Sequence, residues 1–217
     1  MSRITDIKPT SKKSRRYSIF VDDELTTEVN EEVIAKLDLR RDQAMTPQRL
    51  EQIAAAQQDS QTRQAALNLL DYRARTRQEL ARRLRRKDLP ADSIQRVIAD
   101  LGEKGLIDDQ QFARWMVSSL RRRKNLSKRA IANKLRQAGV DHEIAEAVIS
   151  EELADYDEHS RAEQAAAKHV RKLANLEPTT RRRRLYSYLQ RRGFPAYLIR
   201  DVLQEVQLDD DQVLPDN

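Results

Sequence analysis

The chain has 217 residues, enough for one large domain or two small ones, and no Cys, which excludes a disulfide framework, a thiolate nucleophile and a cysteine zinc site. Charged residues are 35% and aromatics 5%, with only 4 Gly and 6 Pro, so a protein built mainly of hairpins or phosphate-cradling glycine loops is excluded and helix is expected. A net charge of +6, an isoelectric point near 9.6 and a mean hydropathy of −0.82 point to a soluble, cytoplasmic protein with no membrane span, whose partner is a polyanion or an acidic protein surface.

Residues 1–16 are polar and basic without periodicity and read as a disordered arm. In YSIFVDDELTTEV, Tyr17, Ile19 and Val21 alternate with polar neighbours, Asp22 and Asp23 supply turn chemistry, and Leu25 to Val29 return, which predicts a β-hairpin. Asn30 is placed to cap a short helix holding Val33, Ile34 and Leu37, and Thr46 with Pro47 starts another with Leu50 and Ile53 on one face. Residues 17–59 therefore form a small N-terminal module. The run Ala54 to Gln64 is either a helix extension or a linker.

From residue 60 the text repeats itself. TRQELARRLRRKDLP from Thr76, SKRAIANKLRQAGVD from Ser127 and RRRRLYSYLQRRGFP from Arg181 align position for position. Leu80, Ile131 and Leu185 correspond, as do Leu84, Leu135 and Leu189 four residues on; a spacing of four puts each pair on one helix face. Asp88, Gly139 and Gly193 then stand where a helix C-terminus takes the left-handed conformation, and Leu89, Val140 and Phe194 fold back. Val97 with Ile98, Val148 with Ile149, and Val202 with Leu203 mark a further helix in each unit, and Leu69, Leu120 and Leu173 mark one ahead of it. The expectation is a mainly α fold, an elongated tandem array of three three-helix repeats at 60–107, 108–158 and 159–208, with an acidic tail at 209–217.

The joints between repeats carry acids that invite a catalytic reading. Asp108 and Asp109 follow Gly102 and Gly105, yet Asp108 with Gln111 three residues on is a capping-box pattern, with Gly102 fitting the end of the preceding helix. Ser160 with Glu163 offers a matching box at the second joint. These are joints rather than an active site. The three histidines, His142, His159 and His169, share no ligand spacing, and no glycine pattern of a nucleotide fold is present, so no metal, cofactor or catalytic residue is expected. The chain reads as a binder, not an enzyme.

Arginine is its best binding feature. Between Arg73 and Lys87 lie eight basic residues and one acid, Glu79. With Leu80 and Leu84 inward, Arg75, Arg82, Arg85 and Arg86 fall on the outer arc, and Lys87 extends it. Arg136 and Arg191 hold related places in the later repeats. Two further clusters, Arg121, Arg122, Arg123 and Lys124, and Arg181, Arg182, Arg183 and Arg184, stand at the entry to the middle helix of repeats two and three. Any single Arg is explained by a solvated helix face, but four consecutive cations repel one another unless an anion is near. Phe112, Trp115, Tyr186 and Tyr188 are expected in the core, Trp115 above all.

The runs TRQELARRLRRK at Thr76 to Lys87, VIADLGEKGLIDDQQFA at Val97 to Ala113 and SKRAIANKLRQAGV at Ser127 to Val140 resemble the RecX family, bacterial regulators of the RecA recombinase, over roughly residues 60–206. The resemblance implies a monomer of tandem three-helix repeats lying in the groove of the RecA filament on DNA. It also implies restraint of filament growth, ATP hydrolysis, strand exchange and the co-protease activity behind the SOS response. The basic residues named above would meet RecA or DNA phosphates. The alternative is a DNA-binding repressor, since a three-helix unit with a tight turn can present a recognition helix to a major groove. Three diverged tandem units without a dimerisation segment argue against it.

Overall fold

In this computed structural model, residues 2–11 and 15–211 are described, leaving aside the side chains of 123 and 207–211. The alternation at Tyr17, Ile19 and Val21 becomes strand β2 (Arg16–Val21), which turns back into β3 (Glu24–Asn30) through Asp22 and Asp23, both at positive φ (50° and 70°). Two positive φ angles match the right-handed twist of the flanking strands, and Asp tolerates them because its short side chain can bond locally.

The N-terminal arm is corrected. Residues Ile4–Pro9 form β1, antiparallel to β2, so the sheet has three strands in the order β1-β2-β3. Only Ile4 and Ile7 are apolar there, and the register shifts between Ile4 and Asp6, which breaks the two-residue period. What orders the strand is long-range: Ile4 is fully buried, its N–H donates to the Gln43 carbonyl, and the Ile4 carbonyl accepts from the Asp42 N–H.

Helix α1 (Glu31–Leu37) follows Asn30, whose side chain makes no cap bond but donates to Ser60 Oγ at 2.9 Å. Helix α2 (Pro47–Tyr72) starts where expected, the Thr46 hydroxyl accepting from the Arg49 N–H with Pro47 in the first turn. It continues without a break through Ala54 to Gln64, a run of good helix formers. Its first half packs Ile53 and Ala56 into the core of the N-terminal module, and its second half packs Ala66 into the core of the first repeat. The expected boundary at 59/60 thus falls inside one helix shared by two cores.

Residues beyond α2 fold as α3 (Arg77–Arg85), α4 (Ala91–Glu103), α5 (Asp109–Arg123), α6 (Lys128–Ala138), α7 (His142–Glu152), α8 (Glu158–Val170), a 3-10 turn (Arg171–Leu173), α9 (Pro178–Arg191) and α10 (Ala196–Asp211). With the second half of α2 these are three groups of three helices. The chain divides into two compact units, Met1–Ile107 with the sheet and first repeat, and Asp108–Asn217 with the second and third. Leu80, Leu84, Ile131, Leu135, Leu185 and Leu189 are all buried, in one core per repeat. Asp88, Gly139 and Gly193 all have positive φ (57°, 84° and 87°), as the alignment of the repeats requires.

Smaller expectations change. Helix α4 runs past Gly102, and the left-handed residue after it is Gly105 (φ 69°); the Arg77 guanidinium fills the space a side chain at 102 would need. Asp157, not Ser160, caps α8, accepting from the N–H groups of His159 and Ser160. Trp115 is not core but 64% exposed. Helix α5 turns Ala113 and Val117 inward, and two residues from either is a rotation of about 200°, to the far face. Of the acidic tail, residues up to Asp211 belong to α10, and 212–217 lie outside the described residues.

Candidate partner-binding surface

In the first repeat, the Thr76 hydroxyl caps α3 by accepting from the Glu79 N–H, which fixes the phase of the helix. Leu80 and Leu84 then point inward, and Arg82, Arg85, Arg86 and Lys87 are all exposed. None of the four has a side-chain hydrogen bond or ion pair among the described residues. They stand at the C-terminal end of α3, where the helix dipole favours cations, so they cost the fold little.

Arg75 does not belong to this surface. It is 5% exposed, donating from Nε to the Leu69 carbonyl at 3.0 Å and from Nη1 to Glu79 Oε1 at 2.6 Å. The same carboxylate oxygen accepts from Arg73 Nη2 at 2.6 Å and from Arg83 Nε at 2.9 Å. Burial by itself raises the Glu79 carboxyl, but the hydrogen bonds and charges of the three guanidiniums outweigh it and hold the group below its ordinary range. The helical-wheel placement failed because Arg75 precedes the cap and is not on the helix.

The second cluster is also divided. Arg121 is engaged internally, donating to the Glu152 carbonyl at 2.9 Å and to Asp155 at 2.6 Å. Arg122 is exposed, with its Nε 3.3 Å from the Ser118 carbonyl, and the Arg123 side chain lies outside the described residues. Lys124 is exposed at the rim of a cleft of about 760 Å³ within the second unit, whose basic lining also includes Arg129, Lys134, Arg191 and Arg192. Arg136 is exposed without a partner among the described residues.

In the third repeat Arg181 and Arg182 are engaged within the protein. Arg183 and Arg184 are exposed and, with His169, Leu173, Ser187 and Arg191, line a cavity of about 510 Å³. Tyr186 and Tyr188 pack partly buried against the core of this repeat, as does Phe112 against that of the second. Exposed Trp115 leans on Phe112, with ring centroids 6.2 Å apart. Its exposure was legible from the phase of Ala113 and Val117.

Asp108 is a cap: its carboxylate accepts from the Gln111 N–H at 2.8 Å. Among the described residues one cluster has potential metal ligands, His159 with Glu163 and Glu205. The two carboxylates approach opposite ring nitrogens, Nδ1 at 3.6 Å and Nε2 at 3.5 Å. A single metal ion takes one nitrogen of a ring. Among the described residues no helix is long and apolar enough to cross a membrane.

Comparison with known proteins matches three family models in chain order. They are "RecX, first three-helix domain" at residues 63–101, "RecX, second three-helix domain" at 108–149, and "RecX, third three-helix domain" at 155–203. The chain is 34% identical over 143 residues to the regulatory protein RecX of Amycolatopsis mediterranei (66% of this chain, 81% of that one). It is 39% identical over 153 residues to that of Mycolicibacterium smegmatis (67% and 79%), and 26% identical over 216 residues to that of Bacillus subtilis (98% and 80%). Among solved structures, one described as a regulatory protein RecX shares the fold with a TM-score of 0.74 at 23% identity, over 93% of this chain and 98% of the other. RecX from Lactobacillus salivarius superposes with a TM-score of 0.57 at 27% identity, over 70% and 99%.

Proposed function

The chain belongs to the RecX family, and from that premise we propose that it is a non-enzymatic, cytoplasmic regulator that binds the RecA filament as a monomer and inhibits its recombinase, ATPase and co-protease activities. Its relatives' name supports a regulatory role. The observation that carries the binding surface is the set of exposed cations without internal partners among the described residues: Arg82, Arg85, Arg86 and Lys87 in the first repeat, Arg136 in the second, and Arg183, Arg184 and Arg191 in the third. Guanidiniums compensated inside the protein, such as Arg75 and Arg121, are withdrawn from it. Uncompensated guanidiniums suit carboxylates of a protein partner or phosphates of its DNA, both of which accept bidentate bonds. Trp115 adds a large exposed ring of the kind that anchors protein interfaces.

The test is co-sedimentation with RecA, with and without single-stranded DNA, followed by RecA ATPase measured against increasing amounts of the chain. Retention with assembled filaments and a falling ATPase rate are expected. Failure to associate with RecA in either state would overturn the reading.

A further inference from the structure

The third repeat contains a cavity whose charges are not balanced. Arg183 and Arg184 line it from α9 with Arg191 and Ser187, and His169 closes it from the end of α8, over a floor that includes the buried Leu173. None of the three guanidiniums has an ion pair or side-chain hydrogen bond among the described residues. Several other guanidiniums meet an acid within the fold: Arg73, Arg75 and Arg83 share Glu79, Arg63 meets Glu32 and Asp100, and Arg96 meets Asp59. Here no carboxylate is among the lining residues.

The imidazole is held in place. His169 lies flat on Tyr188, ring centroids 3.7 Å apart and planes within 5°, and the Arg192 guanidinium is 4.7 Å from the centre of the Tyr188 ring. A ring fixed in this way offers a directed N–H, and Ser187 adds a hydroxyl. Three forked cations, an imidazole and a hydroxyl around about 510 Å³ form a donor set for an oxyanion with several acceptor oxygens.

We propose that this cavity is a binding site for a phosphate group, either free or in the backbone of a nucleic acid. The inference deepens the partner-surface reading at one cluster. Its test contains no RecA, so the two can fail separately.

A proton is linked to the site. Partial burial, then the positive charges of Lys172, Arg191 and Arg192, hold the proton affinity of the His169 imidazole below its ordinary range. Lys168 and Arg171 flank it in sequence. Helix α10, also packed against α8, brings Glu205 to His159, ten residues earlier, and neither its Arg200 nor its Asp201 is among the charges acting on His169. A bound phosphate reverses the local field, so it raises the proton affinity of His169, and by linkage protonation of the ring favours binding; inorganic phosphate itself gains a proton in the same range, an opposing effect that a backbone phosphodiester lacks.

The experiment follows the His169 ring resonances by NMR in the full chain across pH 5 to 8, with inorganic phosphate, with chloride at matched ionic strength, and with a short single-stranded oligonucleotide. Phosphate is expected to shift the resonances and raise the titration midpoint where chloride does not. Arg183→Gln with Arg184→Gln is expected to weaken phosphate binding about tenfold or more, with the helical spectrum unchanged. His169→Gln is expected to remove the ring's share of the pH dependence, leaving that of phosphate's own ionisation, while binding persists at pH 8. An oligonucleotide that displaces phosphate identifies the backbone as the source; phosphate binding without oligonucleotide binding identifies a free phosphate. If neither moves the His169 resonances beyond the chloride control, the proposal is overturned.

Discussion

At the level of single residues, acids that stand out in the sequence do structural work. Glu79 is the sole acid between Arg73 and Lys87, and one of its oxygens takes three guanidiniums. Glu79→Gln leaves Arg75 buried without a countercharge, so we expect a loss of about 3 to 5 kcal/mol in urea unfolding. The pH dependence follows from the same contacts. The folded Glu79 carboxyl is held below its unfolded value, so its contribution is complete above the ordinary glutamate range and is lost as pH falls through the folded value. Acid unfolding of the Glu79→Gln protein is therefore less steep with pH than that of the parent. Asp108 makes the opposite case. Its carboxylate caps α5 by accepting from the Gln111 N–H, which an Asn oxygen does equally well, so Asp108→Asn should change stability by less than about 0.5 kcal/mol and leave the proposed RecA inhibition intact. Complete loss of inhibition in a folded Asp108→Asn protein would return the carboxylate to the functional groups.

At the level of elements, the repeats are held by apolar pairs and by left-handed turns. Leu84 is fully buried, and Leu84→Ala should cost about 2 to 5 kcal/mol; a change near zero would mean that α3 is wrongly phased. Two glycines separate backbone strain from collision. A Cβ at Gly105 meets nothing within 4 Å, so Gly105→Ala costs only the left-handed backbone, about 1 kcal/mol. At Gly193 a Cβ would stand 2.5 Å from Ser127 Oγ and 2.7 Å from Ala130 Cβ, beside the bond from the Ser127 N–H to the Arg192 carbonyl. Gly193→Ala should therefore cost clearly more than Gly105→Ala in the same denaturant series. The helices were legible because a buried pair four residues apart, followed by a residue tolerant of positive φ, recurs three times with little variation. Strand β1 was not legible, since Ile4 is ordered by the segment around Gln43 and a bulge erases its period. Which cations the fold leaves exposed was legible only in part. Arg82, Arg85 and Arg86 follow from the phase of Leu80 and Leu84, whereas Arg75 and Arg121 are withdrawn by Glu79 and Asp155, partners that charge counting along the chain does not reveal.

At the level of the whole molecule, the question is whether the excess positive charge acts at a defined surface or only as a diffuse field. Replacing Arg82, Arg85 and Arg86 together by Ala tests this in the first repeat, because all three point away from Leu80 and Leu84 and none is paired among the described residues. The helical circular dichroism and the unfolding midpoint should survive, since no core atom is removed. If the three meet carboxylates or phosphates in the bound filament, each lost charge-assisted hydrogen bond is worth on the order of 1.5 to 3 kcal/mol, less where solvent reaches it. Inhibition of RecA ATPase should then weaken at least about tenfold, a loss of roughly 1.4 kcal/mol in total, which leaves a wide margin for solvent screening. Salt distinguishes contact from field. Raising the ionic strength shortens the range of exposed charges, so the parent should lose inhibition with salt, and the triple variant, having fewer charges to screen, should lose less. Equal inhibition by parent and variant at both low and high salt would mean that this stripe is a solvated face, and would move the search to Arg122 and Lys124 in the second repeat and to Arg183 and Arg184 in the third.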